Sequence, residues 1–224
     1  MRGTVVTLGG GGFSMSEDGA SRVDDAILAL TGSARPKVCF VPTASGDAEG
    51  YIRRFEDAFR GRAVTSVLSL FCRDPWGYTD PAMLLDQDVI YVGGGSTVNL
   101  LELWRRHGVA ELVEQAAAQG TVLAGISAGM NCWYEASSTD SFGPLAPLDD
   151  GLGLLRGSAC PHYRGEPERR DRYRGWVADD FAALLFRDGE LSGGFAERAG
   201  SQAFKVELDG ESAVEREIPL RLLG

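Results

Sequence analysis

Two rhythms of apolar and polar residues run through this chain. Short continuous apolar runs read as buried strands at residues 4–8, 37–42, 63–70 and 89–92. Between them, apolar positions spaced three or four apart predict helices at 23–30, 51–60, 80–85, 97–107 and 110–119. A further apolar run from Thr121 leads into Gly125-Ile126-Ser127-Ala128-Gly129 and then a helix-compatible segment. This βαβα order predicts an α/β fold with a mostly parallel sheet flanked by helices. After Ser138 the texture changes. Residues 139–161 are rich in Gly, Pro and Asp, and 182–186, 190–193 and 202–208 read as C-terminal antiparallel strands joined by turns such as Arg187-Asp188-Gly189. No repeat or linker interrupts the pattern, so residues 1–224 are expected to form a single domain.

Composition narrows the reading. The 224 residues are 44% hydrophobic and hold no apolar run of the length, about 18–20 residues, that a membrane span needs. The opening residues turn glycine-rich too quickly for a signal peptide, and a cytoplasmic protein is expected. A net charge of −10 argues against nucleic-acid and anionic-membrane partners and means that an acidic substrate would need a local cation. The four cysteines (Cys39, Cys72, Cys132, Cys160) lack Cys-x-x-Cys spacing, so no zinc or redox motif follows, and Cys39 and Cys132 are expected to pack.

The strand–turn–helix context places Ser127 where a serine becomes a nucleophile, held by a strained backbone between glycines and facing the amides of the next helix. Of two histidines, His107 ends a helix before Gly108 and fits a capping role. His162, at the start of a loop, is the candidate base. Glu135, Asp140, Asp149, Asp150, Asp179, Asp180 and Glu197 are all available as a third member, and spacing does not choose among them. The glycine run after residue 92 exposes backbone amides, so Gly94 or Gly95 with Ala128 is expected to bind an oxyanion. Neither this run nor residues 9–12 fits a dinucleotide or P-loop pattern.

Taken in order, Leu8-Gly9-Gly10-Gly11-Gly12-Phe13-Ser14, Val41-Pro42-Thr43-Ala44-Ser45, Val92-Gly93-Gly94-Gly95, Gly125-Ile126-Ser127-Ala128-Gly129, Pro161-His162-Tyr163 and Gly165-Glu166-Pro167-Glu168-Arg169 resemble the peptidase E (aspartyl dipeptidase) family of serine peptidases, related to the cyanophycinases. The resemblance implies a class I glutamine-amidotransferase-like fold and hydrolysis of dipeptides with an N-terminal aspartate, without metal or cofactor. Ser127 matches the family nucleophile and His162 its base. Asp140, slightly favoured, and Asp180 are the two matches for the acid. Ser96 stands where the family usually carries asparagine, which bears on substrate contacts there. The substrate carboxylate calls for an arginine, and Arg169 or Arg170 is the candidate. Cleavage of isoaspartyl or cyanophycin-type bonds, and a non-catalytic protein binding an acidic ligand, are the alternatives. The sequence leaves a homodimer open.

Overall fold

A computed structural model of the chain describes residues 2–71, 78–165, 174–209 and 212–224. The first half alternates as expected: β1 (Thr4–Leu8), α1 (Gly12–Met15), α2 (Arg22–Ala29), β2 (Lys37–Val41), α3 (Glu49–Phe59), β3 (Val64–Val67), a 3₁₀ turn over Pro81–Asp86, β4 (Val89–Val92), α4 (Thr97–His107), α5 (Val109–Ala118) and β5 (Val122–Ile126). The elbow then leads to α6 (Ala128–Asn131), β6 (Tyr134–Thr139), β7 (Ala146–Leu148), β8 (Leu155–Cys160) and β9 (Gly175–Ala178). The chain ends in β10 (Ala182–Arg187), β11 (Glu190–Ala196), β12 (Ala203–Asp209), β13 (Ser212–Glu217) and β14 (Arg221–Leu222).

The main sheet has eight strands in the order β14-β11-β10-β1-β5-β4-β2-β3, and the run from β1 to β3 is parallel. The β10–β11 hairpin joins it antiparallel on the outer side of β1. Its turn puts Asp188 at φ 50° and Gly189 at φ 84°, the two left-handed residues that match the twist of a tight hairpin.

Adjacent residues on the central strands face opposite layers. Val5, Cys39, Ile90 and Leu123 point into a core closed by α4, α5 and aromatic residues such as Trp104 and Trp133. Their neighbours Val6, Phe40, Tyr91 and Ala124 point into the core beneath α1, α2 and α3, with Phe13, Phe55 and Phe59. Cys39 and Cys132 are free thiols buried in this packing, Cys160 is buried in a smaller cluster with Tyr163, Val177, Phe204 and Val206, and Cys72 lies outside the described residues.

One feature was not legible in the pattern. A second sheet, ordered β13-β12-β9-β8-β6-β7, stands beside the first. Residues 202–208 form an antiparallel strand as the pattern predicts, and this strand, β12, lies in the second sheet, paired with β9 and β13. Its inner residues Tyr134, Ala159, Ala178 and Ala203 pack into the same core as α4 and α5. Pro and Gly punctuate residues 139–161 so closely that β7 and β8 carry little periodic signal of their own. Among the described residues no helix is long and apolar enough to cross a membrane.

A buried carboxylate ties α2 to the exit of β1. Asp24 is fully buried and accepts the Phe13 N–H at 2.7 Å and the Tyr91 hydroxyl at 2.9 Å. Burial outweighs both hydrogen bonds and lifts its pKa from 3.8 to about 7. A folded-state pKa above the unfolded one gives stability that is complete below about 3.8 and is lost as pH rises through about 7. Asp24→Asn keeps an acceptor for Phe13 N–H and can donate to Tyr91. Denaturant unfolding compared at about pH 5 and about pH 8 should therefore show wild type losing stability relative to this variant as pH rises.

Candidate active site

The elbow is built by close approach as much as by backbone freedom. Ser127 itself sits at φ 56°, ψ −112°. For a non-glycine residue this is a conformation costing about 1–3 kcal/mol, which surrounding structure must hold in place. Gly125 and Gly129 flank it for a different reason: a Cβ on Gly125 would lie 2.0 Å from the Gly129 carbonyl oxygen, and one on Gly129 2.4 Å from that of Val92. The helix that follows is a single turn, so the expected help from a helix dipole reduces to the local amides of α6.

Three consecutive carbonyls at the end of β1 hold the pieces of the site. Leu8 O accepts Ser127 N–H at 3.1 Å, Gly9 O accepts His162 N–H at 3.2 Å, and Gly10 O accepts Phe181 N–H at 2.9 Å. Asp180, beside Phe181, is bridged to Gly10. His162 Nε2 thereby comes 3.0 Å from Ser127 Oγ while Nδ1 lies 2.5 Å from Asp180 Oδ1. An ionised carboxylate only accepts, so Nδ1 carries the ring proton and Nε2 accepts from the serine hydroxyl. Ser127, His162 and Asp180 thus form a continuous hydrogen-bonded line, with the imidazole and carboxylate part-buried at 23% and 31% exposure.

Asp140, the favoured acid, is not on the imidazole. It is exposed in the turn after β6, where Gly143 N–H bonds its carbonyl, while the β9–β10 connection brings Asp180 to His162. Several other acids have structural partners. Asp179 takes Arg164 Nε at 2.8 Å and Gln202 N–H at 2.8 Å, Glu135 takes Gly157 N–H, Asp150 takes Arg105, and Glu197 takes the Arg22 N–H at the start of α2. The Asp179–Arg164 pair, with Asp179 only 8% exposed, also anchors the loop that carries His162.

On the other side of Ser127, a Cβ on Gly94 would lie 3.7 Å from Ser127 Oγ, so this loop runs directly past the nucleophile. The Gly94 N–H, expected to face an oxyanion, instead donates to the Tyr51 hydroxyl at 3.4 Å. Of the expected oxyanion donors this leaves Gly95 and Ala128, whose amide opens α6 and has no intrahelical acceptor. Gly95 adopts φ 137° against the Ala44 carbonyl, 2.2 Å from where a Cβ would be, so only glycine fits. Ser96, expected to contact substrate, caps α4 by accepting Asn99 N–H at 3.3 Å. Arg169 and Arg170 lie outside the described residues. His107 ends α4 before the left-handed Gly108, as a capping residue should, and stacks on Tyr78.

Residues 5–190 match peptidase family S51. The chain belongs to that family. It is 43% identical over 231 residues, covering 98% of this chain and 99% of the relative, to YgaJ of Bacillus subtilis (strain 168), an uncharacterized peptidase. It is 28% identical over 189 residues to peptidase E of Streptomyces coelicolor, with 78% and 75% of the two chains covered. A crystal structure of a peptidase from an acI-B1 Actinobacterium superposes with a TM-score of 0.65 at 15% identity, covering 96% of this chain and 98% of the other, a likeness of fold. This S51 chain is accordingly a peptidase with a mixed α/β fold of helix-flanked sheets.

The glycine run at residues 9–12 fits no nucleotide pattern and forms part of the resemblance to peptidase E. Its use is steric: a Cβ on Gly10 would lie 2.0 Å from Asp180 Oδ1 and 2.9 Å from His162 Cε1. Gly10→Ala should fold, because φ at this position is not in the left-handed region, yet displace the Asp180–His162 pair and lower kcat by about a hundredfold or more. Asp140→Asn should stay within about threefold of wild type in kcat. Steady-state kinetics with thermal melts of both variants check this.

Proposed function

We propose that this S51 peptidase is a serine dipeptidase that removes an N-terminal aspartate from dipeptides and short peptides through an acyl-enzyme. The observation that carries the reading is the line from Ser127 Oγ through His162 to Asp180. In this mechanism His162 Nε2 takes the Ser127 proton as Oγ attacks the carbonyl carbon of the aspartyl residue. The developing oxyanion lies toward the Gly95 and Ala128 amides. Asp180 holds the imidazole orientation and stabilises the imidazolium. The C–N bond then breaks as His162 returns the proton to the leaving amine. Water, deprotonated by the same nitrogen, attacks the ester carbon, and the C–Oγ bond breaks as His162 returns that proton to Ser127 Oγ, freeing aspartate and restoring Ser127. Each step uses His162 as the one proton shuttle.

The aspartate preference is supported by the resemblance to peptidase E and by the chemistry of burial: an acidic side chain leaves water at a cost of several kcal/mol unless a cation meets it. Hydrolysis of Asp-Leu beside Leu-Asp, Glu-Leu and β-Asp-Leu tests the reading. Wild type should turn over Asp-Leu, and Ser127→Ala should lose at least about a thousandfold in kcat while keeping its melting temperature within a few degrees. Equal turnover by Ser127→Ala would sink the mechanism. Preference for β-Asp-Leu would move the substrate to isoaspartyl bonds, and ligand stabilisation without turnover would make the protein a binder of acidic ligands.

A further inference from the structure

Helix α3 sends two side chains, one turn apart and so on one face, toward the gap between the exits of β1 and β4. The Tyr51 ring packs against Phe13 and Phe40, with centroids 5.5 and 5.0 Å away, and its Cε1 lies 3.0 Å from where a Cβ of Gly93 would be. Its hydroxyl takes the Gly94 N–H on the β4 side. Burial raises its pKa above that of an ordinary tyrosine, against the opposing pull of the Gly94 N–H, the Ser14 side chain and the Arg54 charge, so the group keeps its proton and remains a donor at neutral pH. Arg54 reaches the β1 side, where Nη1 donates to the Ser14 carbonyl at 3.0 Å.

What sets Arg54 apart is its charge balance. Its neighbours along this segment are neutralised: Arg53 by Glu49, Arg60 by Asp57 and Arg62 by Asp25. Arg54 meets a carbonyl and, among the described residues, forms no ion pair, although it shares a surface hollow with Glu17, Asp18 and Asp57. A peptide whose scissile carbonyl sits over Ser127 Oγ, beside Gly94, can extend a short acidic side chain toward α3. There it would find a hydroxyl donor and a guanidinium not engaged in an ion pair, in a protein whose net charge of −10 otherwise repels carboxylates.

We propose that Tyr51 and Arg54 are specificity-determining residues that receive the acidic side chain of the substrate. The inference rests on the reading of the site as an aspartyl dipeptidase. The experiment is the ratio of kcat/KM for Asp-Leu over Asn-Leu, measured for wild type, Tyr51→Phe, Arg54→Gln and Arg54→Lys. The ratio cancels losses common to both substrates, so a merely structural role does not move it. Arg54→Gln should lower the ratio about tenfold, mostly by slowing Asp-Leu, with Arg54→Lys restoring part of it, and Tyr51→Phe should lower it by about threefold to tenfold. A wild-type preference for Asp-Leu that persists unchanged in Arg54→Gln and Tyr51→Phe overturns this inference alone. Wild-type indifference between Asp-Leu and Asn-Leu overturns both it and the aspartyl reading beneath it.

Discussion

The arrangement of the site depends on the backbone of residues 8–10. A parallel strand ends there, and its last carbonyl and the two beyond it take N–H groups from three separate segments: the elbow, the loop after β8 and the turn before β10. Hydrogen bonds of this kind contribute only about 1 kcal/mol each, but they fix position, and position is what a proton relay requires. The absence of side chains at Gly9 and Gly10 lets the segments close on the strand. At Gly9 a Cβ would lie 2.2 Å from the Ala178 carbonyl oxygen, and at Gly10 2.0 Å from Asp180 Oδ1.

The second sheet follows from the same need. The main sheet supplies the serine and both glycine-rich exits at the carboxyl ends of its parallel strands, where α/β folds collect their chemistry. It has no element that would bring a base over the serine from the side. Strands β8 and β9, parallel to one another and packed through Ala159 and Ala178 into the core beneath α4 and α5, set the loop carrying His162 and the turn carrying Asp180 next to β1. Asp179 reinforces the placement by binding Arg164 and the Gln202 amide, so two adjacent aspartates divide the work. One anchors the loop, and its neighbour faces the imidazole.

Much of this was legible in the sequence. Local patterns fixed by periodicity and by glycine, such as the strands β1, β4 and β5, helix α4 and the elbow at Ser127, follow from contacts close along the chain. His162 was legible because histidines are scarce. The choice between Asp140 and Asp180 was not, because it depends on how two sheets come together, and sequence spacing carries no record of that distance. The roles of Gly10 and Tyr51 escaped for a related reason. A glycine required by steric exclusion from a residue some 170 positions away has the same local signature as one required by a turn. A tyrosine on an amphipathic helix reads as packing until its hydroxyl is seen to meet the Gly94 amide.

The most direct measurement is the rate and place of covalent labelling by a serine-directed phosphonofluoridate, followed by intact mass and peptide mapping. The account predicts one adduct per chain on Ser127, formed in wild type and slowed by roughly a hundredfold or more in His162→Ala and Asp180→Asn. An adduct on another residue, or labelling of Ser127 at the wild-type rate in both variants, would contradict it.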